Sequence, residues 1–500
     1  MKNLISLLDL GKNGVEALIA EAEMMIPYAK SKKTYPVKLE LGQVLPAAFE
    51  LFLERSLRTW GSFATAAEYV GFNYRVILGE EQTSIPKGET FANTIRMLAG
   101  TQGADIIVMR TKWEGAPRFA SEIVSTPIIN GGDGCNRHPS QTLLDLLTIK
   151  RKLGRLSDFT LGIVGDLSHS RVAHDLLTAA RLFGFRVGFI SAPETRPPQV
   201  WRQGVQIVFE SDEMSDLRHC DVVYILRLQK ERIQDPVEIK RLIGKLQITL
   251  DLLDRICRPD VLVMHAQPID QHDGIFRIQP HVFDDPRIIF HEQAWFGLPV
   301  RMAILANAYW NLMQPTSIPE ISPVETVVHS ESTVDDHFAK LTKRRGQYFK
   351  PIRSGTVIDH LSCGHGSLIL SLMQKHGVKF EGPVIHAQGI DSKIMPERKK
   401  DVLVLDNTFP PEHFLAALTL FSPHATCNLV RDGVFRKIKF AIPKMIPKIF
   451  SCPNPDCICN NDPEAVSRFW SLSSEETEPV ALLCAFCERV FTTQEILSLI

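Results

Sequence analysis

The sequence predicts an α/β protein built as two parallel-sheet halves, followed by a smaller α+β domain and a cysteine-bearing C-terminal module. Three observations carry that prediction. Over the first 300 residues, short β-branched runs alternate with helix-length segments, as parallel sheets with crossover helices require. A proline-rich stretch then breaks the pattern, and five of the ten cysteines crowd between Cys452 and Cys487.

Taken in order, the chain opens on an amphipathic helical pattern. It reaches Asp9 and Lys12 before any long apolar core forms, unlike a signal peptide. Strand signals follow at Arg75–Leu78 and Ile106–Met109, and Gly131-Gly132-Asp133-Gly134 reads as a tight turn. A helical segment from Ser140 to about Lys152 lies midway and is expected to join the halves. Beyond it come Phe159–Val164, Arg186–Ile190, Val222–Leu226 and Val261–Met264, then a helical pattern from Gln293 to Leu312. Domains are expected at 1–145, 146–312, 348–445 and 446–500, with a connector over 313–347 that holds Pro315, Pro319 and Pro323. The basic stretch Lys340, Lys343, Arg344, Arg345, Lys350 and Arg353 reads as a solvated connector rather than a nucleic-acid tail.

Composition narrows the function. The 500 residues hold 56 Lys plus Arg against 57 Asp plus Glu, so 56 − 57 gives a net charge of −1, and no nucleic-acid partner is expected. With 44% hydrophobic and 23% charged residues the chain is globular, of about three or four domains. It lacks any run of about 18 apolar residues, so no membrane span is expected. Cys135, Cys220, Cys257, Cys363 and Cys427 are scattered singly and read as reduced thiols of a cytoplasmic protein. Cys452-x4-Cys457 and Cys484-x2-Cys487 supply four thiolates for one closed, structural zinc site, with Cys459 a spare thiol nearby.

Basic and hydroxyl residues gather beside turns in the first 300 residues. Ser56-Leu57-Arg58-Thr59 opens a helix, where free amides, the helix dipole and a guanidinium all favour a phosphate. Ser84-Ile85-Pro86-Lys87 is a polar loop, and Arg110 follows a buried strand at its C-terminal end, where ligands of open sheets gather. His138 and Gln141 share a helix start. Asp166 leads from a strand to His169, Ser170 and Arg171, and two further strand ends carry Arg227-Leu228-Gln229 and His265-Ala266-Gln267-Pro268. Together they describe a cleft for two anionic substrates.

These motifs are specific when read in order. The chain resembles the aspartate carbamoyltransferases, as a catalytic chain fused through a linker to a regulatory chain. The catalytic likeness covers about residues 35–312 and rests on SLRTWGSF, TSIPKGET, VMRTKWEGA, NGGDGCNRHPSQTLLD, VGDLSHSR and RLQKER; the regulatory likeness covers about 350–500 and rests on SGTVIDH, DNTF, the Asn428 region, CPNPDC and CAFC. The resemblance implies two doubly wound catalytic domains, a ferredoxin-like nucleotide-binding domain and a zinc ribbon-like domain. It implies transfer of the carbamoyl group of carbamoyl phosphate to the amine of L-aspartate. Arg58, Thr59, Arg110 and His138 would act on the carbamoyl phosphate, with Ser56 and Gln141 beside it. Arg171, Arg227 and Gln229 would meet the aspartate carboxylates, with Gln267 and Pro268 lining the carbamoyl group. Ser84 and Lys87 would come from a neighbouring subunit, giving a homotrimer with shared active sites that is able to build larger assemblies. Asp359, His360, Lys400 and Asn428 would bind a nucleotide effector such as CTP or ATP, with Lys437 and Lys439 both candidates for a phosphate contact.

The chain departs from the family pattern at Leu57, Trp60 and Ala266-Gln267. Its loop at His265 carries no cysteine, and Arg227-Leu228-Gln229 favours an anionic second substrate over ornithine. The alternative readings are a degenerate regulatory or scaffolding relative, a transcarbamylase for another amine, and a zinc-bearing nucleic-acid binder. Turnover with carbamoyl phosphate and aspartate separates the first from an enzyme.

Overall fold

The computed structural model describes residues 3–36, 44–226, 246–269, 278, 280–310, 326–333, 352–393, 395, 397–431, 434–447, 449–472 and 480–497. They fall into two units, Met1–Ser317 and Ile318–Ile500.

The first unit holds two parallel sheets. β1 (Ala47–Phe52), β2 (Asn73–Leu78), β3 (Ile106–Thr111) and β4 (Ile128–Asp133) run in the order β2-β1-β3-β4. Helix α1 (Gly11–Ser31) precedes them, and α2 (Leu57–Tyr69), α3 (Phe91–Ala99) and α4 (Ala116–Ile123) make the crossovers. Helix α5 (Pro139–Leu153) leads to β5 (Thr160–Val164), β6 (Arg186–Ile190), β7 (Gln206–Ser211), β8 (Val222–Ile225) and β9 (Leu262–His265), ordered β7-β6-β5-β8-β9, with α6 (Arg171–Phe183) between β5 and β6. The helix Gly297–Trp310 returns to pack on α1, α2 and α5, so one apolar core runs from Leu4 and Phe52 through Leu146 to Phe189 and Met302. Strand order reverses between β1 and β3, and again between β5 and β8. Ligands of open α/β sheets bind beyond the carboxyl ends of such strand pairs. The fold thus points Ser56, Arg58, Arg110 and Arg171 at two switch points.

Several expectations change on contact with the structure. Gly131–Asp133 belongs to β4 rather than to a tight turn; side-chain-free positions there let guanidinium groups come close. β1 and β4 are buried nearly throughout, so no period of two marks them. The boundary expected between 145 and 146 falls inside α5, which runs on to a left-handed cap at Gly154 (φ 74°). The helix expected from Gln293 to Leu312 is two helices, Phe290–Trp295 and Gly297–Trp310.

In the second unit β10 (Thr326–Thr333), β11 (Gly355–Leu361), β12 (Val384–Asp391), β13 (Lys399–Asp406), β14 (Thr426–Arg431) and β15 (Val434–Phe440) form an antiparallel sheet ordered β10-β15-β14-β11-β13-β12. With the helices His365–Lys375 and Glu412–Ala417, strands β11 to β14 make the ferredoxin-like β-α-β-β-α-β unit. β10 lies within the stretch read as connector, where Thr326, Val327, Val328 and Thr333 favour an extended chain. The buried Asp401 carboxylate fastens the first helix, accepting from Gly364 N (2.9 Å), Gly366 N (3.2 Å) and Gly389 N (3.0 Å). A second antiparallel sheet, β16 (Met445–Pro447), β17 (Arg468–Ser471), β18 (Ala481–Cys484) and β19 (Val490–Thr492), follows in sequence order. Among the described residues no helix is long and apolar enough to cross a membrane.

Candidate active site and metal centre

At the first switch point Arg110 ends β3 with only 7% of its surface exposed. Its Nη1 donates to Gly131 O (3.2 Å) and its Nη2 to Glu54 Oε1 (2.9 Å). Arg171, the first residue of α6, donates from Nη1 to the other Glu54 oxygen (3.3 Å) and to Gly134 O (2.9 Å). One carboxylate therefore ties the end of a strand in the first sheet to the start of a helix in the second. Burial pushes the Glu54 carboxyl up, but Arg171 and Arg110 outweigh it and hold the group below its ordinary value. Burial and then the charges of Arg171 and Arg58 pull the Arg110 guanidinium down to about 9, leaving it charged at neutral pH. Three arginines against one carboxylate leave an excess of two positive charges (3 − 1 = 2), which an anionic ligand relieves.

Gly132 makes this packing possible. A Cβ there would lie 2.9 Å from Arg110 Nη1 and 3.1 Å from Arg171 Nη1, at a φ of +119° that side chains rarely adopt. Gly132→Ala is expected to lower kcat/KM about a hundredfold, as small misplacements of positioning groups do, with melting temperature as the control for folding.

Ser56 and Thr59 stand at the start of α2, with the Ser56 hydroxyl donating to Thr59 Oγ1 (3.0 Å) rather than capping a helix amide. Arg58 is exposed beside them. His138 opens α5 from a buried position. Burial, then Arg171, Arg110 and Arg301, press its ring well below the usual histidine range, so the imidazole is neutral. Its Nδ1 lies 3.4 Å from the Ser140 hydroxyl; with that hydroxyl donating, Nε2–H is left as the ring's donor. The His138 amide donates to Asp175 Oδ2 (2.6 Å), and the same carboxylate takes Arg137 Nη1 (3.0 Å). This buried ion pair holds the start of α5 against α6, fixing His138 relative to Arg171.

Gln141 lies in the first turn of α5 and donates from Nε2 to Asp145 Oδ1 (3.0 Å). At the end of β9, His265 Nδ1 accepts from Gln267 N (2.7 Å), and Pro268 follows across a cis bond. Ser84 and Lys87 belong to an exposed loop whose backbone bonds are local, such as Lys87 N to Ser84 O (2.9 Å). Arg227 and Gln229 lie outside the described residues.

The sequence reading passed over Glu54, although an acid two residues before Ser56, at a strand end rich in arginine, was a signal. It also passed over Glu50, 1% exposed on β1. Among the described residues no hydrogen bond reaches either carboxylate oxygen of Glu50. Burial pushes that carboxyl up to about 8, against the opposing charge of Arg301, whose Nη1 donates to Ser62 Oγ (3.0 Å). The folded chain thus keeps a proton between pH 4.5 and about 8 that the unfolded chain releases. Stability present below that window is lost as pH rises through it. Glu50→Gln is expected to remove this slope and gain about 2 kcal/mol at pH 8, read from denaturant melts at pH 5 and 8.

In the second unit, Lys400 Nζ donates to Asp359 Oδ1 (2.6 Å) and His360 Nδ1 lies 3.3 Å from Asp359 Oδ2. Asn428 donates to Val357 O (3.3 Å) on the neighbouring strand. Lys437 faces Asn428 across the β14–β15 pair, and its charge helps to lower the pKa of His360, after burial and Lys400; Lys439, two residues further along β15, lies opposite Val327 of β10. The expected effector residues therefore share one region of the sheet.

The Sγ atoms of Cys452, Cys457, Cys484 and Cys487 all lie within 4.8 Å of one another, and all four side chains are buried. Cys452 to Cys487 is 3.7 Å and Cys457 to Cys484 is 3.8 Å. A tetrahedral ion with bonds of about 2.3 Å sets sulfurs about 3.75 Å apart, so the four thiols fit a metal and leave no open position. Cys459 Sγ is 3.2 Å from Cys457 Sγ and stands outside the four. Asn460 and Asn461 donate to the carbonyls of Cys452 and Cys457 (both 2.8 Å), fixing the knuckle.

Comparison with known proteins agrees with this division. Residues 2–151 match the family described as aspartate/ornithine carbamoyltransferase, carbamoyl-P binding domain, and 157–308 its Asp/Orn binding domain. Residues 348–441 and 444–497 match the allosteric and metal-binding domains of the aspartate carbamoyltransferase regulatory chain. An aspartate carbamoyltransferase catalytic subunit from Archaeoglobus fulgidus is 37% identical over 308 residues, covering 61% of this chain and 99% of its own. The solved catalytic subunit of M. jannaschii aspartate transcarbamoylase superposes with a TM-score of 0.55 at 35% identity, covering 62% and 99% of the two chains. The Trypanosoma cruzi enzyme in complex with N-(phosphonacetyl)-L-aspartic acid gives 0.55 at 30% identity, covering 61% and 94%.

Proposed function

Because the chain belongs to the aspartate/ornithine carbamoyltransferase family, we propose a division of labour within its site that follows from the arginine cluster. The protein is a transferase of pyrimidine synthesis: it moves the carbamoyl group of carbamoyl phosphate to the amine of L-aspartate, giving N-carbamoyl-L-aspartate and phosphate. The observation that carries the proposal is the Glu54 bridge between Arg110 and Arg171.

Ser56, Arg58 and Thr59 hold the phosphate at the start of α2. Thr59, Arg110 and the neutral His138 donate to the carbamoyl oxygen as it gains charge, each such donor being worth about 2.7–4 kcal/mol. Arg171, Arg227 and Gln229 seat the aspartate carboxylates, and Gln267 and Pro268 close on the carbamoyl group. The amine attacks the carbonyl carbon, the C–O bond to phosphate breaks, and the amine proton leaves with the phosphate. The cations bring together two anions that otherwise repel.

Ser84 and Lys87 enter the site from a neighbouring copy in a homotrimer. Zinc at the four cysteines closes the C-terminal module and takes no part in the reaction. The cluster at Asp359, His360, Lys400 and Asn428, with Lys437, binds a nucleotide such as CTP or ATP. The domains divide as 1–145, 146–312, 348–445 and 446–500, with the first break falling within α5, and the protein works in the cytoplasm.

Purified protein is expected to release phosphate and N-carbamoylaspartate from carbamoyl phosphate plus aspartate, and nothing with ornithine. Absence of product overturns the reading. A mixture of Arg58→Ala and Lys87→Ala chains, refolded together, is expected to recover activity that neither has alone. No recovery means that sites are not shared.

A further inference from the structure

We propose that Asp145 is a positioning residue whose carboxylate decides which end of the Gln141 amide faces the carbamoyl group, and so makes the site select an amino-bearing acyl phosphate. The inference rests on the function proposed above and names a residue that the function does not use. Asp145 is completely buried on α5, one turn after Gln141. Its Oδ1 accepts from Gln141 Nε2 (3.0 Å) and from Gln293 Nε2 (2.6 Å), and its Oδ2 accepts from the Tyr224 hydroxyl (2.9 Å). All three partners act as donors to the carboxylate, hydrogen bonds that oppose the burial pushing its pKa up to about 7.

The consequence for Gln141 is chemical. Its amide has one donating and one accepting end, and the donating end is held by Asp145. The carbonyl oxygen is then the end left for a ligand. A carbamoyl group offers an N–H donor where an acetyl group offers a methyl, so an acceptor discriminates between them and a donor does not. Without the carboxylate the amide is free to turn over and present a donor to a donor.

Gln293 is oriented by the same oxygen. With its nitrogen on Asp145, its Oε1 accepts from His265 N (3.0 Å), and His265 Nδ1 accepts from Gln267 N (2.7 Å). A continuous run of hydrogen bonds thus joins Gln141 in the first half to the Gln267–Pro268 turn in the second. One carboxylate sets the polarity of both walls of the carbamoyl pocket.

The test compares the dissociation constants of carbamoyl phosphate and acetyl phosphate, by calorimetry on the full zinc-loaded chain. Wild-type turnover with aspartate is measured first; its absence overturns the functional reading and this inference with it. Asp145→Asn is expected to weaken carbamoyl phosphate about tenfold while moving acetyl phosphate less than about twofold. Gln141→Met is expected to lose the same preference, and adding Asp145→Asn to it is expected to change nothing more. Gln141→Met also stands in if the Asn variant fails to fold. Equal weakening of both ligands by Asp145→Asn, a further loss in the double variant, or an intact preference in Gln141→Met overturns the proposal.

Discussion

Arg110→Met is expected to lower kcat by about a thousandfold while the first unit remains folded, measured by steady-state turnover beside a thermal melt. The side chain is nearly buried and donates to Gly131 O and Glu54. In the proposed site its loss removes a donor to the carbamoyl oxygen, a loss that by itself costs about a hundred- to a thousandfold. It also leaves Glu54 paired with Arg171 alone, so the start of α6 is no longer tied to β3. Methionine fills comparable space without a charge, and Glu54 is exposed enough to solvate its released oxygen. A surface control is Arg55→Ala, which breaks an exposed pair with Glu81 and is expected to leave kcat within about twofold.

Removal of the metal is expected to unfold the C-terminal module. Strands β16 to β19 have only three or four residues each, and the four buried cysteines share the module's small interior with apolar side chains such as Ile446, Ile458, Phe469, Leu482 and Phe486. So small a core does not close without a staple. A bound structural zinc supplies about 10–16 kcal/mol of apparent binding energy to such modules. Chelation, or Cys484→Ser, is expected to abolish amide protection across β17 and β18 in hydrogen exchange, with loss of one zinc per chain by metal analysis. Protection in β3 and β5, which belong to the other unit, is expected to persist. Unchanged protection in the module after complete metal loss contradicts a structural role.

What the sequence disclosed depended on how local the signal was. The cysteine pairs, the helix starts at Ser56 and His138, and the arginines at strand ends all announce themselves within a few residues. β1 and β4 did not, because strands covered on both faces show no alternation, and β1 carries Glu50 in its middle while β4 ends in Gly131-Gly132-Asp133. The connector reading missed β10 because its partner, β15, lies a hundred residues along the chain. Glu54, Asp145 and the Arg137–Asp175 pair were legible only as ordinary polar residues. Their roles depend on partners 30 or more positions away, such as His138 for Asp175 and Tyr224 and Gln293 for Asp145. That Lys437 lies opposite Asn428 likewise needed the register of β14 with β15.

The most direct test is a crystal structure with a bisubstrate analogue that joins a phosphonate to two carboxylates. The phosphonate is expected within about 2.7–3.2 Å of Ser56, Arg58 and Thr59, with a carboxylate on Arg171 and the bridging carbonyl on Arg110 and His138. An analogue seated elsewhere, or touching the first half alone with Arg171 turned away, contradicts the convergence of the two switch points on one pair of anions.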